Sequence, residues 1–248
     1  MANEYVLVHG ACHGAWCWDE VAARLCAKGH RVVTLDLPGH GRRAAEVRRA
    51  GVEAYGRTVA NAMALEGISR AVLVGHSMGG LVIQKAVELA PARVAHLVFL
   101  AAVVVPDGGS LAGTLMTPAG RAMMTGNAAG RGDGTFLHPA EVAWARWMGD
   151  MPRSDPRVSS AISLLTPQAI RPFVETVDLR VFYGMRVPRT YIRCLQDKAV
   201  VPERAAECAA RLGVTPVDMD CAHNAMLSQP DELVRILVEG SLGGLARG

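Results

Sequence analysis

Short apolar segments alternate with amphipathic ones through most of this 248-residue chain, and that alternation limits the fold more than any other feature. Strand-like runs stand at residues 5–9, 31–36, 71–75 and 94–102, with helical patterns at 19–28, 52–66 and 80–89 between and after them. The rhythm resumes with strands at 190–195 and 214–219 and helices at 203–212 and 231–238. Strands separated by helices cannot pair through hairpins, so they form a parallel sheet covered on both faces. Between these halves, residues 106–178 are rich in Gly, Pro and Met and carry no clear strand. The expected division is a core of residues 1–105 and 179–248, with 106–178 inserted as a helical cap over one end of the sheet.

Composition excludes several classes. Half of the residues are apolar and 20% charged, which supplies a full core and argues against a disordered or collagen-like chain. Net charge is +3, and no basic run exceeds Arg42-Arg43 or Arg48-Arg49, so no nucleic-acid surface is expected. The longest apolar stretch, 94–105, is broken by His96 and too short to span a bilayer as a helix. No leader-like pattern precedes the first strand, and the six cysteines form no CxxC pair. The expectation is a cytoplasmic protein with reduced, mostly buried thiols. No HExxH, Cys/His cluster or GxGxxG calls for a metal or organic cofactor.

Gly75-His76-Ser77-Met78-Gly79 lies between a strand and a helix. A serine on so sharp a turn adopts strained dihedrals, which flanking glycines tolerate, and its hydroxyl stands clear at the C-terminal edge of the sheet. The N–H groups that follow open a helix and can stabilise developing negative charge. The serine needs a base. Downstream candidates are His96, His138 and His223. His96 falls inside a buried strand and His138 beside Pro139 in the insertion, whereas His223 follows the last strand at the edge that carries Ser77. The carboxylate that orients this base is sought among Asp107, Asp178, Asp197, Asp218 and Asp220. Asp197, two residues beyond a strand end, is favoured; Asp220, close to His223 in sequence, suits turn or capping work.

A larger set of residues now stands together: His9-Gly10-Ala11-Cys12-His13-Gly14-Ala15-Trp16, Leu35-Asp36, Val74 to Gly80, Asp197-Lys198 and His223-Asn224-Ala225-Met226-Leu227. It closely resembles the plant methylesterase and hydroxynitrile lyase group of the α/β-hydrolase superfamily and its bacterial relatives. With only Lys28, Lys85 and Lys198 for lysine, the composition also resembles a high-GC bacterial product. The resemblance implies the α/β-hydrolase fold, Ser77, His223 and Asp197 as a triad, and an oxyanion hole from the N–H groups of Ala11 and Met78, each such donor contributing about 3–4 kcal/mol. It further implies a pocket wall that includes Cys12 and His13. The lyases tend to carry threonine at Gly10 and lysine at Asn224; Gly10 is the esterase-like choice, and Asn224 departs from the methionine usual in esterases.

In the insertion, Trp144, Trp147, Met148 and Met151 fall on one face of a helix after Pro139, with Leu115, Met116, Met123, Met124, Phe136 and Phe173 as further apolar mass. They suggest a lid over an apolar substrate, and the glycines of 126–134 suggest a flexible gate. The expected partner is a small-molecule ester, with a homodimer as an open option. The expected function is a serine hydrolase of small apolar esters acting through an acyl-enzyme. Its rivals are a lyase or ring-opening tailoring enzyme in the same pocket, and a receptor without turnover.

Overall fold

Each central strand carries two apolar stripes. In the computed structural model, which describes residues 2–245, Val6 and Val8 join one core cluster and Tyr5 and Leu7 the other. The period-two alternation of a strand sends successive side chains to opposite faces, so the sheet is buried on both. The strands are β1 (Glu4–Val8), β2 (Arg31–Leu35), β3 (Ala71–His76), β4 (Val94–Leu100), β5 (Thr135–Phe136), β6 (Gln168–Ala169), β7 (Arg189–Cys194) and β8 (Val217–Met219). The main sheet runs β2-β1-β3-β4-β7-β8, and all its pairings are parallel.

Helices α1 (Asp19–Ala27), α2 (Val52–Leu65) and α3 (Gly79–Leu89) fall between the first four strands. Residues of α2 and α3 pack into one cluster and those of α1 into the other. The segment between β4 and β7 holds α4 (Leu111–Leu115), α5 (Pro118–Arg131), α6 (Ala140–Trp147), α7 (Pro156–Leu164) and α8 (Arg171–Val174) within the expected cap of residues 106–178, and α9 (Arg180–Gly184) just after it. Helices α10 (Pro202–Leu212), α11 (Ala225–Ser228) and α12 (Pro230–Leu245) complete the chain. Cap residues Phe136, Trp147, Met148 and Phe173 belong to the same cluster as α2 and α3, so cap and core share one apolar interior. No helix among the described residues is long and apolar enough to cross a membrane.

Two expectations for the cap fail. Of the loop expected over 126–134, residues 126–131 are instead the second half of α5, and only 132–134 lie outside helix and strand. Thr117 accepts a hydrogen bond from the Gly120 N–H, Pro118 starts the first turn, and Gly132 ends the helix with φ of +73°. These terminal signals outweigh the three glycines inside the helix, Gly120, Gly126 and Gly130, each costing only about 1 kcal/mol. The helix carrying Trp144 ends at Trp147, so Met148 and Met151 lie beyond it. The cap also contains a strand pair, β5 with β6 antiparallel, too short to show a period in sequence.

Candidate active site

Four loops leave the C-terminal edge of the sheet close together. The register sets Val8 of β1 opposite Gly75 of β3, so the loop beginning at His9 lies beside the turn at Ser77. Cys194 of β7 pairs with Met219 of β8, and the Gln196 N–H donates to the Cys221 carbonyl at 2.9 Å. The Asp197 and His223 loops are thereby held side by side.

Ser77 has φ of +55°, in the left-handed region that side chains avoid. Its N–H donates to Leu100 and its carbonyl accepts from Gly80 and Val103, which fix this conformation. The neighbouring glycines answer to crowding. A Cβ on Gly75 would lie 2.4 Å from the Gly79 carbonyl oxygen, and one on Gly79 2.8 Å from that of Val8. A Cβ on Gly10 would lie 2.8 Å from the Ser77 Cβ and 3.0 Å from His76 Nδ1.

His223 and Asp197 are both buried, and His223 Nδ1 lies 2.7 Å from Asp197 Oδ2. Asp197 Oδ1 accepts from the N–H groups of Ala199 at 2.6 Å and Val200 at 2.9 Å. With Nδ1–H given to the carboxylate, Nε2 is the imidazole nitrogen left to accept a proton. Asp220 instead accepts from the Gln196 side chain, Asp218 pairs with Arg193, and Asp107 and Asp178 hold backbone N–H groups of the 179–180 turn. His96 bonds Thr190 Oγ1 at 2.8 Å, within the sheet.

Ser77 and His223 line one chamber of about 50 Å³, together with Ala11, His13, His76, Ala199 and Val200 from the core. The cap supplies Leu115, Met116, Phe136, His138, Arg146, Trp147 and Phe173 to its wall. Among the described residues, the N–H groups of Ala11 and Met78 donate to no protein acceptor. Unsatisfied donors are rare in a folded interior.

Of the residues expected on the wall, His13 and Trp147 are there and five are not. Gly10 lies behind the serine turn. Cys12 is fully buried in the core, its thiol pushed up to about 12 by that burial. Met148, just past the end of α6, is buried in the same cluster, and the Trp144 indole N–H donates away to the Met151 carbonyl at 3.0 Å. Asn224 is buried behind His13, with its Nδ2 3.1 Å from His13 Nε2. His13 Nδ1 in turn meets the Ala11 carbonyl at 2.7 Å. Asn224 therefore fixes the ring of a wall residue rather than touching the chamber.

Burial lowers the pKa of His13 to about 4, with the proximity of His223 adding to it. His76, whose Nε2 donates to the His223 carbonyl at 3.0 Å, is lowered well below its ordinary value by the same two causes. Both rings are neutral at pH 7, so neither opposes a positive charge arriving on His223.

Sequence reasoning missed how far the cap holds the loops that carry Cys12 and His223. The Asn224 N–H donates to the Trp147 carbonyl at 2.9 Å and the Ala222 N–H to Asp150 Oδ2 at 3.0 Å, one on each side of His223. On the other loop, the Cys12 carbonyl accepts from the Thr166 N–H and the Cys12 N–H donates to Gln168 Oε1. Gln168, fully buried, also meets His40 Nε2 and the Tyr55 hydroxyl. A glutamine in a Pro-flanked segment gives no periodic signal, so nothing local marked it.

Comparison with known proteins agrees with this architecture. The sequence profile of the α/β hydrolase family matches residues 5–236. Salicylic acid-binding protein 2 of Nicotiana tabacum is 31% identical over 96% of both chains. Esterase PIR7B of Oryza sativa is 47% identical over 103 residues, a stretch spanning 40% of this chain and 38% of the rice protein. Among solved structures, an extracellular α/β-hydrolase from a Paenibacillus species superposes with a TM-score of 0.87 at 24% identity, covering 96% of this chain and 98% of the other. The methylesterase MES16 of Arabidopsis does so with 0.79 at 24% identity, covering 98% and 100%. From its strand order, its serine turn and these matches, the chain belongs to the α/β hydrolase family.

Proposed function

We propose that this protein is a serine hydrolase of small, largely apolar carboxylic esters and works through an acyl-enzyme. Ser77 Oγ attacks the ester carbonyl while His223 Nε2 takes its proton. Asp197 holds the imidazole in the tautomer that can accept and stabilises the imidazolium. The carbonyl oxygen, now an anion, is held by the N–H groups of Ala11 and Met78. His223 returns the proton to the departing alcohol, and a water molecule repeats the sequence on the acyl-enzyme.

One observation carries this reading: the buried 2.7 Å contact of His223 with Asp197, beside a chamber whose wall also includes a serine in strained conformation. Two further features support it. The unpaired N–H groups of Ala11 and Met78 suit an oxyanion, and the wall from Leu115, Met116, Phe136 and Phe173 suits an apolar substrate. Neutral Asn224, turned toward His13, offers no positive charge to a departing cyanide, which favours hydrolase over lyase.

The test is release of nitrophenol from a short-chain nitrophenyl ester. The wild type turns over and Ser77→Ala loses the activity by at least about a thousandfold. Full activity in that variant removes the mechanism.

A further inference from the structure

Resting on the ester-hydrolase reading, we propose that the chamber selects esters carrying a second, anionic group, and that Arg146 binds it. The substrate class is then the half-ester of a dicarboxylic acid, or an ester with a carboxylate similarly remote from the scissile bond. Of the side chains on the chamber wall, Arg146 alone carries a permanent charge. His13, His76 and His138 on the same wall are all held toward the neutral form, chiefly by burial.

Arg146 stands on α6 next to Trp147, whose ring packs against both His13 and His138. Among the described residues no carboxylate lies within ion-pair distance of its guanidinium. Nearby arginines differ: Arg153 pairs with Glu141 and Arg157 with Asp155. The one carboxylate whose charge reaches Arg146 is Asp197, and both of its oxygens are committed to His223, Ala199 and Val200. Partial withdrawal from water lowers the pKa of Arg146, the mark of a cation whose lost hydration has not been replaced.

A guanidinium presents its N–H donors in a planar fork that matches a carboxylate. An apolar chamber with one such fork suits a substrate with a hydrocarbon body, an ester for Ser77 and a carboxylate for Arg146. A neutral ester leaves that cation half-desolvated, whereas an anionic one supplies the missing partner. The reaction stays simple hydrolysis: the acyl–oxygen bond breaks, water supplies the hydroxyl of the new acid, and the alcohol leaves with the proton from His223.

The test compares monomethyl and dimethyl esters of linear dicarboxylic acids from succinic to suberic. In the wild type, kcat/KM for the best half-ester exceeds that of its diester by at least about tenfold. Arg146→Gln lowers the half-ester at least about ten times more than the diester, mainly through KM, and Arg146→Lys recovers part of the difference. A wild-type ratio at or below one overturns the proposal, as does an equal loss on both esters in Arg146→Gln. Calorimetry separates this proposal from the reading beneath it. Monomethyl ester binds Ser77→Ala at least about tenfold more tightly than it binds Ser77→Ala with Arg146→Gln, whether or not any ester is turned over. Absence of turnover with that difference present defeats the hydrolase reading alone, and equal binding defeats the role of Arg146.

Discussion

Gly10 shows how much a missing side chain can decide. Any Cβ there must displace Ser77 or His76, both of which border the chamber. Gly10→Ala is expected to cost about 1–3 kcal/mol in stability and to lower kcat, because the atom that must yield is on the serine itself. Thermal unfolding and ester kinetics check both effects, and an unchanged kcat would show that the turn absorbs the methyl elsewhere. Asp197→Asn is a second prediction. An amide in place of Oδ2 can present N–H to His223 Nδ1, favouring the wrong tautomer. The expected loss in kcat is roughly 10³- to 10⁴-fold, with the fold intact by circular dichroism. If Asp220→Asn is the damaging change instead, the assignment of the acid is wrong. Ser77 and His223, the proposed nucleophile and base, could be nominated from the sequence because motif and chain order single them out. Arg146 was not, since its meaning lies in the absence of a partner, which only packing reveals.

Among the elements, strands and helices of the core were legible because burial imposes a period. Both faces of β4 are covered, and its sequence is apolar almost throughout. The cap obeys weaker rules. In α5 the informative residues were Thr117, Pro118 and Gly132 at its ends, while its interior glycines pointed the other way. The role of the cap in holding the loops of Cys12 and His223 depends on side chains far apart in sequence. Gln168→Ala tests it: the substitution leaves the Cys12 N–H, His40 and Tyr55 short of a partner deep in the protein. Each lost partner costs about 1–3 kcal/mol, so a clear fall in melting temperature is expected. Because Cys12 adjoins Ala11, kcat should fall more than KM rises. A variant with lower stability and unaltered kcat would show that the bond serves folding only.

For the whole molecule, the strand order places β1 between β2 and β3, so the chain departs in opposite directions on either side of it. Loops diverge at such a switch and leave a crevice at the carboxyl ends, where the chamber lies. That position followed from the alternation alone; the small size of the chamber did not, since it depends on how closely the cap is seated. The buried histidines make a prediction on this scale. His13 has its pKa lowered from 6.5 to about 4, so between those values the unfolded chain binds a proton that the fold refuses. Stability is therefore complete above about pH 6.5 and declines as the pH falls toward 4, by about 3 kcal/mol from His13 alone. His9, His40 and His76 are lowered as well and act in the same direction. Melting temperature should drop by roughly 5–10 °C between pH 7 and pH 4.5. A flat profile would mean that these rings are protonated without penalty.

The ties from Trp147, Asp150, Thr166 and Gln168 to the backbone around His223 and Cys12 also bear on protein engineering. A chimera made by transplanting the intervening segment from a cousin would inherit new specificity only if the donor brought equivalent acceptors and donors at these anchor points. Without them, the recipient would keep its reactive side chains in the gene yet lose their alignment in space.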